Sequence, residues 1–139
     1  MNRFILDTDT ITLLKQGHSR VSDRTLAHPV GSVITSVITV DEQLSGWYTA
    51  IRKAKSPQLL SDGYAELAET VGYLGHFIIL GFSVAAIEEF ERLRRLKLGI
   101  SGNDLRIAAI ALINDDIVVT RNVSDFGRIP NVRVENWAD

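Results

Sequence analysis

The chain has 139 residues, 45% of them hydrophobic and 23% charged, with a formal net charge of −2. That length fits one domain able to bury roughly two-thirds of its unfolded surface, and the charge excludes a generally basic surface for nucleic acid. The absence of cysteine excludes disulfides, thiolate nucleophiles and zinc–thiolate sites, and it agrees with a reducing cytoplasm.

Near the N-terminus, Phe4-Ile5-Leu6 reads as a short strand buried on both faces, the pattern of a parallel sheet, and Asp7 follows directly. One positive charge, Arg3, followed by acids at Asp7 and Asp9 does not make a signal peptide. Thr8 or Asp9 can cap a helix running through Ile11, Leu13 and Leu14 to a stop at Gly17. A second short helix spans about Ser19 to Ala27. Residues 31–38 are rich in β-branched side chains and read as the second strand. Thr39-Val40-Asp41-Glu42 then opens a helix with Leu44, Trp47, Tyr48 and Ile51 on one apolar stripe. Ser56-Pro57 starts another helix to about Leu74, and His76 to Phe82 reads as the third strand.

Ser83 caps a helix from Val84 to Leu98, with Glu88/Arg92 and Glu91/Arg95 pairs four apart on its wet face. After the loop Gly99 to Asn103, Asp104 opens an almost wholly apolar helix through Ile113, which must be buried on most sides. Apolar runs such as Ile107 to Ile113 are far too short to span a bilayer, so no membrane is expected. Asp115-Asp116 turns the chain, Ile117 to Thr120 reads as the fourth strand, and Val132 to Glu135 as a short last one. The connection between them, Arg121 to Pro130, is irregular and contains Asp125. Strands separated by helices predict an α/β fold: one domain over residues 1–139, with a parallel sheet of about four to five strands covered on both faces.

Four acids fall at comparable places in this scheme. Asp7 follows the first strand, Glu42 lies in the first turn of the helix after the second, Asp104 opens the buried helix, and Asp125 lies in the loop just after the fourth strand. In open parallel sheets such points converge beyond the carboxyl ends of the strands, where ligands bind. Carboxylates sharing a cleft raise one another's pKa unless a cation shares them. An all-oxygen set suits Mg²⁺ or Mn²⁺ working with a substrate phosphate, which points to metal-dependent phosphotransfer or nuclease chemistry. Three of the acids also have a structural explanation. Thr39-x-x-Glu42 is a capping box and Ser101-x-x-Asp104 another capping signature, while Asp125 after Ser124 can hold a turn. Asp7 alone has no capping duty evident from the sequence.

The order of these segments resembles the PIN-domain ribonucleases, specifically the VapC-type toxins of bacterial toxin–antitoxin pairs. Leu6-Asp7-Thr8-Asp9 looks like their opening motif, and Ser36 to Gly46 resembles the second, with a glutamate ahead of a glycine. Residues 103–111 are similar to the third, an aspartate entering an Ile-Ala-Ala helix; residues 120–126 resemble the fourth, and residues 134–137 the usual ending. The resemblance covers essentially the whole chain.

It implies a PIN-like fold with Asp7 and Asp104 as principal Mg²⁺ (or Mn²⁺) ligands, completed by Glu42 and Asp125 directly or through water. Thr120 and Asn122 match polar positions beside the metal. Many relatives carry asparagine where this chain has Asp9, which would tune metal affinity or cap its helix. The resemblance further implies cleavage of RNA, often a transfer RNA, a homodimer, a cognate antitoxin and a cytoplasmic setting. Arg52, Lys53, Lys55, Arg106 and Arg121 are basic groups able to meet phosphate, or a solvated helix face. An exposed part of the Leu44/Trp47/Tyr48/Ile51 stripe would be a partner surface.

Other readings keep part of this pattern. Asp7-x-Asp9 after a strand also resembles haloacid-dehalogenase phosphatases, which want a downstream lysine; none follows Lys97, and a phosphoacceptor receiver domain fails for the same reason. A non-catalytic RNA- or partner-binding module keeps the fold without the chemistry.

Overall fold

The computed structural model describes residues 2–139. Five strands, β1 (Phe4–Leu6), β2 (Val33–Ser36), β3 (Ile79–Leu80), β4 (Ile117–Val119) and β5 (Arg133–Glu135), form one sheet in the order β3-β2-β1-β4-β5. Every pairing is parallel. The crossovers are helical: α1 (Thr8–Lys15) and α2 (Ser19–Leu26) after β1, α3 (Val37–Lys53) and α4 (Pro57–Leu74) after β2, α5 (Val84–Arg94) and α6 (Gly102–Asn114) after β3, and α7 (Val123–Phe126) after β4. The α/β architecture with a parallel sheet is as the sequence predicts.

Alternate residues of the central strands face opposite ways and organise two cores. Ile5, Ile34 and Val118 pack with Phe90 and Leu93 of α5 and the Ile107–Ala111 stretch of α6. Phe4, Leu6, Ile117 and Val119 pack on the other face with Ile11, Val21, Leu74 and Trp137. Both faces of the sheet are thereby covered, which explains why β1 and β4 are continuous apolar runs. In α6, Arg106 is accommodated by laying its guanidinium over the Phe90 ring, 4.5 Å from the centroid, and donating to Asn103 Oδ1.

Several boundaries differ from the sequence reading, each for a local reason. The second strand ends at Ser36, whose hydroxyl accepts from Thr39 N and caps α3. The cap draws β-branched Val37 and Ile38 into the helix against their strand preference. Thr39 and Glu42 are therefore not a capping box; Glu42 sits in the second turn. The third strand shrinks from residues 76–82 to two residues, because its partner β2 leaves the sheet after Ser36↔Leu80. Helix α5 stops at Arg94, and the left-handed backbone at Lys97 and Gly99 turns the chain. Its ion pairs are Glu89–Arg92 and Glu91–Arg94, three apart rather than four.

Leu44, Trp47 and Ile51 of the α3 stripe are partly covered by α4, while Tyr48 is exposed. Gly63 permits that close packing: a Cβ there would lie 2.9 Å from Ile51 Cγ1. No described helix is long and apolar enough to cross a membrane.

At the end of the sheet opposite the site described below, Arg3 forks onto Asp116 through two 3.0 Å hydrogen bonds, joining the starts of β1 and β4. Burial pushes the Asp116 carboxyl above its ordinary range, and the hydrogen bonds and charge of Arg3 offset this only in part. A raised folded-state pKa means that the fold holds the proton more tightly than the unfolded chain. This contribution to stability is full at acid pH and is lost as pH rises from the ordinary carboxylate range through the raised value. Arg3→Ala pushes Asp116 higher still. We expect it to cost on the order of 1 kcal/mol near pH 7, kept low by solvent screening of the half-exposed guanidinium. The cost should shrink towards pH 4, as read by urea unfolding at both pH values.

Candidate active site

The strand order places a switch point between β1 and β4: successive crossovers run outward to β2 and β3, then return across β1 to β4 and β5. Loops leaving β1 and β4 diverge there and leave a crevice beyond the strand ends. An open cleft of about 570 Å³ lies at this point, lined by Asp7, Thr8, Asp9, Glu42, Asp104, Arg121 and Asn122.

Asp7 directly follows β1 and is the N-cap of α1. Its Oδ1 accepts Thr10 N at 2.9 Å, and its own N–H bonds to Val119 O. The cap is thus Asp7, not Thr8 or Asp9, and Asp7 has the capping duty that the sequence did not reveal. The side chain is buried, and burial raises its pKa; hydrogen bonds from Thr120 and Thr10 oppose the rise, and the charge of Asp9 adds to it. The Thr120 hydroxyl also accepts Asn122 N at 2.9 Å. One hydroxyl therefore ties the β4 loop to the end of β1.

Asp104 stands in the first turn of α6, where Ser101 caps through Asp104 N at 3.2 Å. Burial raises its pKa, and the charges of Asp7 and then Glu42 raise it further, against hydrogen bonds from Ser101 and Asn122. The effect of the Asp7 charge on Asp104 marks the two aspartates as electrostatic neighbours. Glu42 reaches the same cleft from α3. Thr8 Oγ1 donates to its Oε1 at 2.7 Å and lies 3.1 Å from Thr39 Oγ1. With its single proton on Glu42, Thr8 receives the Thr39 hydroxyl as donor. This Thr39–Thr8–Glu42 chain was missed from sequence, since nothing in the spacing shows that residues 34 positions apart will meet.

Asp125 does not line the cleft. It is partly exposed on α7, where Asn122 Nδ2 and Arg128 Nη2 each donate to it at 2.9 Å. These partners, Asn122 first, lower its pKa. Asn122 Nδ2 also lies 3.5 Å from Asp104 Oδ2, so a single amide stands between Asp125 and the cleft. Asp9 is not a cap; its carboxylate accepts both Arg121 Nε and Nη2 at 2.7 Å on the rim. Among the other basic candidates, only Arg121 lines this cleft.

The donors are all oxygen, and Asp7 and Asp104 with Glu42 form a set suited to a hard cation. Among the described residues no three acidic or histidine side chains close on one point. Such a cation would therefore rest on one or two carboxylates and retain water, the usual habit of Mg²⁺. A second cavity of about 660 Å³ adjoins the cleft through Thr8 and Glu42 and runs between α1, α3 and α4, past Gln43, Trp47 and Thr70.

No family model matches the chain. It is similar to ribonuclease VapC2 of Rickettsia felis, at 36% identity over 69 residues. That match takes 47% of this chain and spans about half, 52%, of the relative's length. Among solved structures, DNA-bound VapBC from Salmonella typhimurium superposes with a TM-score of 0.78 at 26% identity, covering 99% of both chains. FitAcB from Neisseria gonorrhoeae gives 0.74 at 24% over 96% of both. Promoter-bound VapBC2 from Rickettsia felis gives 0.73 at 24%, over 96% of this chain and 98% of that one. The chain is VapC-like: it has the PIN fold of the VapC proteins, and over about half its length it resembles a VapC ribonuclease in sequence.

Proposed function

We propose that this protein is a metal-dependent endoribonuclease, the toxin of a VapBC-like toxin–antitoxin pair, acting at Asp7, Glu42, Asp104 and Asp125. The observation that carries the reading is the cleft at the β1/β4 switch point, where burial raises the pKa of both Asp7 and Asp104 and the charge of Asp7 raises that of Asp104 further. Two like charges held there without a partner ask for a cation. The resemblance to a VapC ribonuclease and to VapBC complexes supports RNA as substrate and a cognate antitoxin as partner. A cytoplasmic homodimer acting on RNA such as a transfer RNA completes the proposal.

Bound Mg²⁺ or Mn²⁺ supplies charge stabilisation for the phosphodiester and lowers the pKa of the attacking water. Asp7 and Asp104 would hold the ion. Asp7 is fixed for this by the α1 cap and by Thr120, so its carboxylate needs no reorganisation. Glu42, oriented by Thr8, is free on its other oxygen to accept the proton of the attacking water. Asn122, itself held by Asp125, steadies Asp104. Asp125 therefore acts through Asn122, and Arg128 keeps its carboxylate turned towards that amide. This is outer-sphere support of the kind that orients metal ligands.

Cleavage of single-stranded RNA by the purified protein, with Mg²⁺ or Mn²⁺ and with EDTA, tests the proposal. Asp7→Asn and Asp104→Asn should each lose at least about 100-fold in rate, the worth of a direct ligand to an ion that carries the chemistry. Each should unfold in EDTA at or above the wild-type temperature, because each removes a carboxylate that burial penalises. Equal cutting by wild type and variants would mark a contaminant, and no cutting with either metal would favour the non-catalytic binding module. Asp125→Ala should still cut RNA, but should need roughly 10- to 100-fold more Mg²⁺ for half-maximal rate. A metal titration of the cleavage rate reads this directly. An Asp125→Ala variant as inactive as Asp7→Asn would instead put Asp125 on the ion.

A further inference from the structure

Among the described residues lining the acidic cleft, Arg121 is the one cation, against the four acids Asp7, Asp9, Glu42 and Asp104. A polyanionic substrate meets an unfavourable field there, so the way this cation is presented matters. Arg121 leaves β4 at the switch point, and Asp9 faces it from the first turn of α1. Their two hydrogen bonds, Nε to Oδ2 and Nη2 to Oδ1, are both 2.7 Å. This is the bidentate carboxylate–guanidinium geometry. A guanidinium has five N–H donors, and the pair uses two, one from Nε and one from Nη2. The Nη1 edge is left with two hydrogens.

Both side chains are about half exposed, at 52% and 47%. A pair this wet contributes little to folding, so stability is a poor reason for two groups 112 positions apart to be locked together here. What the lock does accomplish is to fix a long, rotamer-rich side chain in one orientation at the cleft's rim, removing an ordering cost from any later contact. It also offsets the charge of Asp9, which would otherwise add in full to those of Asp7, Glu42 and Asp104.

Building on the nuclease reading above, we propose that the Nη1 edge of Arg121 binds a phosphodiester oxygen of single-stranded RNA at the cleft, with Asp9 as the positioning residue that aims it. Arg121 supplies directed donors rather than net charge, since the pair sums to zero. Removing Asp9 and removing Arg121 therefore have opposite effects on binding. Loss of Arg121 weakens RNA binding. Loss of the Asp9 charge strengthens it, while freeing the guanidinium to wander and slowing the reaction.

The test uses full-length protein and a fluorescein-labelled single-stranded oligoribonucleotide. Binding is followed in Mg²⁺ against KCl concentration in the Asp104→Asn background, where turnover is blocked, and cleavage is followed in the otherwise wild-type chain. Adding Arg121→Ala should lower the slope of log K against log salt by about 0.7, one phosphate contact to a single strand. In cleavage it should reduce kcat/KM by roughly 10- to 100-fold, the range for a charge-assisted hydrogen bond. Arg121→Lys should keep the slope but not the rate, because it retains charge and loses the fork. Asp9→Asn should lower kcat by several-fold with KM unchanged or smaller, and should add nothing further in the Arg121→Ala background.

Wild-type protein that cuts no RNA overturns the nuclease reading and this inference with it. Wild-type cutting with slope, KM and kcat all unchanged in Arg121→Ala overturns the role of Arg121 alone. An Asp9→Asn loss that persists undiminished without Arg121 overturns the positioning role of Asp9.

Discussion

Keeping a carboxylate at the end of a fully buried strand is the constraint to which the surrounding structure responds. Asp7 follows three residues with almost no exposed surface, and burial penalises its charge. The penalty is met by orienting dipoles rather than by a counter-ion: the first turn of α1 gives Thr10 N, and the Thr120 hydroxyl arrives from β4. The positive end of the α1 dipole faces the same way. Opposition remains, because Asp104 and Glu42 enter the same cleft from α6 and α3. That residual repulsion is what the proposed cation would relieve, and it is stored by burial in the two cores that hold β1 rigid.

The supports around this cleft are arranged in short relays. Thr39 holds Thr8, which holds Glu42; Arg128 holds Asp125, which holds Asn122, which leans on Asp104. Each relay begins on a different crossover and ends at a carboxylate. Neutral donors dominate, so the acids are oriented without being neutralised. The two charged clamps lie away from the buried acids: Arg128 on Asp125 outside the cleft, and Arg121 on Asp9 at its rim.

Much of the architecture was legible in the order of elements. Apolar triplets and quartets separated by helical stretches point to a parallel sheet, and α6, almost wholly apolar after Arg106, had to be covered on most sides. Boundaries were legible only where local chemistry and tertiary pairing agreed. At Ser36 they did not: a run of β-branched residues continues past a serine whose cap bond ends the strand. The third strand could not be sized from its own residues, since its length is set by where β2 departs. Within the site, the acids were visible as points following strands, but their partners were not. The cap role of Asp7 was hidden because the residue is the single link between a strand and the helix that follows it. The removal of Asp125 from the cleft follows from the one-turn helix α7, which an irregular stretch with a turn residue does not announce.

The same brevity of the outer strands has a consequence for how copies of this chain behave in solution. The sheet ends on one side in β3, two residues long, and on the other in β5, three residues long with Arg133 at its start. An exposed sheet edge is a template for another chain in proportion to the unpaired backbone it offers. Ile78 and Ile79 are exposed near the β3 edge, and on a longer strand they would make an adhesive border. Limited to two paired residues, that border offers too few hydrogen bonds to fix a register with a neighbour. The early departure of β2 into α3, which brings Glu42 towards the cleft, thus also protects the molecule against edge-to-edge aggregation.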